Sequence, residues 1–407
     1  MTASLPIPDA IAQAHSRALV HKLKQAADQA PLLFSSYMQR CLYEPGLGYY
    51  MAGSQKFGAE GDFVTAPEVS PLFGACLAKQ CNEVLALTGG DILELGAGSG
   101  RLALSVIENL AEDSWGQYLI VEPSADLQER QLALLQNELT AEQFEKVQWL
   151  SALPDSFSGV MLANEVMDAL PVERVVRTDN GFDVEVIQSV ADPLADEEKS
   201  LMLGQLCSSE LPDSTREQIS ASLAHIEQDI GFPLPQGYRS ELSQLLTPWV
   251  RSLADCLHEG VLVLIDYGYP RREYYLEERA QGTLQCFYRH HAHSDVTFWP
   301  GLQDITAHVD FTTVVEAGDA AGLELLGYTA QAPFLFGCGL AELATNLSAV
   351  WNTCGSDTPA NRIQNQQAIN RLTLPGEMGE RFQVMALGRG VDLPLCGFSV
   401  LDLSRRL

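Results

Sequence analysis

Basic residues are scarce. Against 53 Asp and Glu the chain carries only 25 Lys and Arg, a formal net charge of −28. A groove built for phosphates would be repelled by such a field, so nucleic acid is not an expected partner. No apolar run reaches membrane-spanning length, so no membrane insertion is expected. The N-terminus has neither a basic stretch leading into an apolar one nor an Arg-rich presequence. The nine cysteines form no C-x-x-C and no regular framework, which fits mostly buried thiols in a reducing compartment. Together these features predict a cytoplasmic chain. No metal is expected: His290-His291-Ala292-His293 sits on one short segment with no further ligands in view. Internal repeats and low-complexity tracts are lacking as well.

What is present is a large apolar fraction. With 407 residues, 46% of them hydrophobic, the chain can bury two domains or one large domain with a satellite. Strand and helix patterns alternate as strand 91–97, helix 99–112, strand 117–122, helix 124–139, and strands 146–150 and 158–164. That alternation predicts an α/β fold with a parallel sheet covered on both faces. After Pro171 it stops. Residues 174–190 alternate around the turn signal Asn180-Gly181, and helices are expected from there to about residue 258. The acids concentrated in 191–230 read as an exposed helical insertion. Residues 261–266 (VLVLID) resume the core, and 382–387 is expected to pair with 398–403. The expected division is an N-terminal helical and loop segment (1–88), a core (89–170 with 259–407), and an inserted substrate or partner domain (171–258).

The most informative string is Asp91-Ile-Leu-Glu94-Leu-Gly96-Ala-Gly98-Ser-Gly100-Arg101. A buried strand runs into a loop with glycine at every second position. Dinucleotide folds use G-x-G-x-x-G, but here the third glycine comes one residue early and Arg101 takes the sixth place. G-x-G-x-G with an acid two residues ahead is the pattern of S-adenosylmethionine (SAM) methyltransferases. Such glycines let the backbone approach a nucleoside that has no pyrophosphate. Glu94, Gly96, Gly98 and Gly100 are therefore candidate cofactor residues. Glu122, at the tip of the next strand, is placed to accept the ribose hydroxyls.

A second cluster follows strand 158–164: Asn164-Glu165-Val-Met-Asp168. Ligands of open α/β sheets lie beyond the carboxyl ends of the strands, so Asn164 is assigned to the cofactor and Glu165 and Asp168 to catalysis. A Glu/Asp pair suits a nitrogen nucleophile, since a guanidinium fork matches a carboxylate bidentately. Helix capping is the alternative use of Asn164 and Asp168. Asp62 and Glu68, in a Gly/Pro-rich loop, and Asp266, Tyr267 and Asp304 are candidate substrate contacts, and His308 is a candidate base.

These strings together resemble the MidA-like family of class I SAM-dependent methyltransferases. The matching segments are LYEPGLGYY (42–50), GDFVTAPEVSPLFG (61–74), ILELGAGSGRLA (92–103), ANEVMDALPVERV (163–175), VLIDYGYP (263–270) and PGLQDITAHVDF (300–311), in family order. The resemblance implies a Rossmann-like, mostly parallel seven-stranded sheet, SAM as cofactor, and methyl transfer to arginine of a protein. The family's mitochondrial member acts on a subunit of respiratory complex I during assembly, so such a subunit is an implied partner. A homodimer is allowed for. A SAM enzyme acting on a small molecule, or a SAM-binding assembly factor without turnover, remain the alternatives at this point.

Overall fold

The computed structural model describes residues 5–52, 64–190, 200–353 and 358–407. The chain divides into two compact units. One comprises 64–167, 247–268 and 311–407; the other takes the described residues before 63, together with 168–246 and 269–310.

The first unit is built on seven strands: β1 (Asp91–Leu95), β2 (Tyr118–Val121), β3 (Val147–Leu150), β4 (Phe157–Asn164), β5 (Leu257–Tyr269), β6 (Glu324–Ala330) and β7 (Phe382–Arg389). Their order across the sheet is β3-β2-β1-β4-β5-β7-β6. Neighbours from β3 to β5 are parallel, whereas β7 runs antiparallel to both β5 and β6. The expected α/β class and seven-stranded, mostly parallel sheet are thus what the chain forms. Strands β4 and β5 are buried along nearly their whole length, as continuous apolar runs covered on both faces must be. Helices α1 (Pro71–Thr88), α2 (Arg101–Ile107) and α3 (Ala125–Glu138) contribute Phe73, Leu77, Val84, Leu102, Val106 and Leu135 to one core with Ile92, Ile120, Val160 and Val263. Helix α1 starts at Ser70, whose hydroxyl accepts from the Leu72 N–H, with Pro71 at the first helical position.

Strand order reverses between β1 and β4, so the crevice at their carboxyl ends is where a ligand is accommodated. The loops after β1, β2, β4 and β5 all emerge there.

The second unit holds a five-stranded antiparallel sheet in which 32–33, 181–189, 173–178 and 239–242 are successive neighbours and 201–207 also pairs with 181–189. Helix Asp213–Ile230 packs Ile219, Leu223 and Ile226 into a core with Phe182, Val184 and Tyr238. A three-stranded sheet (291–293, 285–288, 304–306) and helices Ala10–Ala27 and Phe34–Tyr43 complete it.

The structure departs from the sequence reading in four places. The insertion is not helical throughout: Leu201–Cys207 and Arg239–Leu242 are strands, their half-solvated antiparallel pattern being weaker than a buried parallel one. The hairpin turn falls at Asp179-Asn180, since Thr178 already pairs with Gly181. Residues 398–403 do not pair with β7, both of whose edges are taken by β5 and β6; Phe398 instead seats its ring over Gly327 and 5.5 Å from that of Phe334. Residues 269–310 leave the core, and the N-terminal helices fold with the insertion, so the boundaries 1–88, 89–170 with 259–407, and 171–258 do not describe the units. The cause is local. The strand ends at Tyr269-Pro270, and the segment beyond it supplies partners for the second unit's sheets.

Candidate active site

Gly96, Gly98 and Gly100 all lie in the left-handed region, with φ of 64°, 53° and 83°. An L side chain rarely adopts that backbone, which explains the alternate-residue glycine pattern. Space is short too. A Cβ on Gly96 would lie 3.2 Å from Val166 Cγ2, and one on Gly100 3.3 Å from Gln131. The Gly96 N–H donates to the Val121 carbonyl at 2.9 Å, which binds the loop to the end of β2.

Glu122 follows β2 and is 4% exposed. Its Oε1 accepts from the Ser124 N–H at 3.0 Å and its Oε2 from Gln131 Nε2 at 3.2 Å. Both of its oxygens are therefore held by the chain, which fixes the carboxylate's orientation at the tip of the strand. Gln131 also donates to the Gly98 carbonyl at 2.9 Å and accepts from Trp149 Nε1 at 2.9 Å. It therefore ties the glycine loop to the acid, a role the sequence reading missed. The signal was present: Leu127, Gln131 and Leu135 form the buried stripe of α3, and an amide at the centre of an apolar stripe needs partners.

The strongest backbone outlier among the candidate residues is Glu165. It stands one residue past β4 with φ of 55°, a region costly for a side chain with a Cβ. The turn is overdetermined by its surroundings. The Glu165 N–H donates to the Ile265 carbonyl at 2.9 Å, and Asn164 Nδ2 donates to Glu165 Oε1 at 3.1 Å. Asp266, fully buried at the end of β5, accepts from the Met167 N–H through Oδ2 and the Tyr267 N–H through Oδ1, each at 2.9 Å. The Asn164 Oδ1 is buried without a hydrogen-bond partner among the described residues. An acceptor left open beside the glycine loop fits a ligand carrying donors.

Several residues singled out from sequence have partners within the protein. Asp266 braces the Glu165 turn through backbone amides, and the Tyr267 ring meets Phe382 edge-on at 5.5 Å. Glu68, on the helical turn Ala66–Val69, accepts from the Ser99 hydroxyl and pairs with Arg101 Nε at 3.0 Å. It grips the glycine loop. A guanidinium at the start of α2 opposes the helix dipole, and the Glu68 carboxylate offsets it. Glu94 turns inward and accepts from the Tyr118 hydroxyl at 2.6 Å. Burial, with Glu122 adding to it, pushes its carboxyl up to about 7 despite that hydrogen bond.

Asp168, Asp304 and His308 belong to the second unit. The Asp168 carbonyl accepts from the Ala307 N–H, and Asp304 Oδ1 accepts from the Tyr50 hydroxyl and its neighbour's N–H, all at 3.0 Å. Burial, with the charges of Asp304 and Asp168 adding to it, holds the Tyr50 hydroxyl well above its usual range. Tyr50, inside LYEPGLGYY, was given no role from sequence. The His308 N–H donates to Thr283 Oγ1 at 3.2 Å, and its ring lies 5.4 Å from that of Tyr269. Asp62 lies outside the described residues. Among the described residues no three His, Cys, Asp or Glu converge as a metal site.

Residues 76–329 match the model of a family described as "Putative S-adenosyl-L-methionine-dependent methyltransferase". The chain belongs to this family. A solved structure from Burkholderia thailandensis, bound to S-adenosyl-homocysteine, is 37% identical to this methyltransferase. The superposition has a TM-score of 0.87 and covers 99% of this chain and 100% of that one. Among curated proteins, "Protein arginine methyltransferase NDUFAF7 homolog, mitochondrial" of Drosophila melanogaster is 30% identical, over 91% of this chain and 85% of its own. "Protein arginine methyltransferase NDUFAF7, mitochondrial" of Danio rerio is 27% identical, over 95% of this chain and 93% of its own. The cofactor of this methyltransferase is SAM, and the left-handed glycines and the open Asn164 oxygen fit it. The cytoplasmic expectation is overturned, because these curated relatives are named mitochondrial. The free thiols found among the described residues do not distinguish one reducing compartment from another. No helix among the described residues is long and apolar enough to cross a membrane.

Proposed function

We propose that the enzyme transfers the methyl group of SAM to a guanidinium nitrogen of arginine in a protein substrate, with Glu165 as the acid that orients the acceptor. The observation that carries this reading is Glu165 itself. A strained carboxylate, fixed by Asn164 and by the end of β5, stands at the strand-order reversal beside the glycine loop. Such strain is retained where the side chain must point one way.

SAM supplies the electrophilic methyl and a good leaving group. The chain's own task is to hold one nitrogen in line with the methyl and to exclude water. A carboxylate paired with two guanidinium nitrogens draws the positive charge toward itself, leaving the third nitrogen more nucleophilic. The new N–C bond forms as the C–S bond breaks, S-adenosylhomocysteine departs as a neutral thioether, and the methylated nitrogen loses one proton. Recognition of the protein that carries the arginine is assigned to the unit containing 171–246. The names of the curated relatives support an arginine acceptor, and the family resemblance makes a subunit of respiratory complex I, or its relative, the substrate to test first.

The deciding experiment incubates the enzyme and radiolabelled SAM with extract of a strain lacking it, followed by acid hydrolysis of the labelled protein. Methylarginine is expected, and Glu165→Gln should lower its yield at least about 100-fold while S-adenosylhomocysteine binding stays within about twofold. Methyl-lysine, a labelled metabolite, or full activity in Glu165→Gln would refute the proposal.

A further inference from the structure

We propose that Cys338 and Cys396 are a modification site, an intramolecular disulfide that forms when the protein meets a hydroperoxide. Cys338 follows helix Gln331–Gly337, and Cys396 opens the helical turn Cys396–Phe398; both lie in the unit that carries the seven-stranded sheet. Each thiol has a glycine neighbour at the point where the two segments meet. A Cβ on Gly337 would lie 2.4 Å from the Cys396 carbonyl oxygen, and one on Gly397 2.2 Å from the Phe334 ring. Only bare backbone allows that approach, and it brings the two Sγ atoms to 3.8 Å.

The rest of the turn is anchored independently of the sulfur. The Cys396 N–H donates to Glu83 Oε2 at 2.9 Å and the Gly397 N–H to Gln80 Oε1 at 3.0 Å, both acceptors on α1. A disulfide has an S–S length of about 2.0 Å, so closure must draw the two sulfurs together from 3.8 Å. Cys396 is partly exposed, whereas Cys338 is fully buried, which sets the order of events. The Cys396 thiolate attacks the peroxide: an S–O bond forms, the O–O bond breaks, and an alcohol or water leaves. The Cys338 sulfur then attacks the resulting sulfenic acid; the S–S bond forms, the S–O bond breaks, and the hydroxide leaves as water with the thiol's proton. Two electrons pass from the thiols to the peroxide, and a dithiol returns them. The bond fastens the C-terminal segment, whose Leu395 and Phe398 are core residues, to helix 331–337.

The test treats the full chain, in a Cys207→Ser background that removes an exposed thiol, with equimolar hydrogen peroxide. Unreduced digests are read by mass spectrometry. The expected product joins the peptides of Cys338 and Cys396, is two hydrogens lighter than their sum, and disappears on treatment with dithiothreitol. The oxidised protein should melt a few degrees higher. Cys396→Ser, partly exposed and therefore tolerated, should abolish both effects while its reduced-state melting stays near that of the parent. Sulfinic acid at Cys396 with Cys338 still alkylatable, or a bond between Cys396 and any other cysteine, overturns the proposal.

Discussion

Replacing Glu94 by Gln should remove a pH dependence of folding that the native chain carries in one carboxyl. In the unfolded chain that carboxyl titrates near 4.5, and in the folded protein burial beside Glu122 raises it to about 7. Between those values the native state holds a proton that the unfolded state has released, so stability falls as pH rises through the window. The integrated loss is roughly 3 kcal/mol, at about 1.4 kcal/mol per pH unit, and it is complete once the folded carboxyl has ionised. Glu94→Gln stays neutral and can still accept from the Tyr118 hydroxyl. It should therefore lack this slope and exceed the parent in stability by about 2–3 kcal/mol at pH 8. Urea midpoints taken from pH 4.5 to pH 8 on both proteins measure the difference directly. Parallel curves, or a parent that gains stability across the window, would show that the buried carboxyl is ionised throughout.

Glu68→Ala should weaken S-adenosylhomocysteine binding about tenfold in calorimetry, since a carboxylate bonded to both Ser99 and Arg101 is worth about 1.5–3 kcal/mol to the loop it holds. Arg101→Ala should cost less, because 54% of that side chain is already in water; unchanged affinity in Glu68→Ala refutes the grip. Gln131→Leu should lose about 1–3 kcal/mol of stability, because the Trp149 N–H and the Gly98 carbonyl lose their partner, and should also weaken ligand binding. Thermal melting together with calorimetry separates the two effects, and a stability equal to that of the parent would show that the amide is dispensable.

The sheet and its glycine loop were legible because each rests on local pattern. Short apolar runs alternating with helical patterns and bounded by glycine read as buried strands, and alternate glycines mark a backbone that other residues rarely adopt. The position of Glu165 at a strand end was readable for the same reason, but its left-handed φ was not, since nothing in its identity asks for one. Less legible were the side chains whose partners are distant in sequence. Glu68 faces Ser99 and Arg101, and Asp266 faces Met167 across 99 positions. A spacing rule assigns such acids to a ligand because it cannot see the amide or hydroxyl that occupies them. The insertion failed for a different reason, in that short amphipathic antiparallel strands carry too little periodic signal to outweigh the helical pattern around them.

Strand β7 is the last of the seven to leave the ribosome, yet it occupies an interior slot between β5 and β6. Until it arrives, those two strands offer unpaired amides and carbonyls to any passing segment, and the nascent domain is at its most adhesive. Chains stalled or truncated before residue 382 should therefore be recovered in aggregates or with chaperones. The hydrophobic β7 run closes both of these backbone ladders at once.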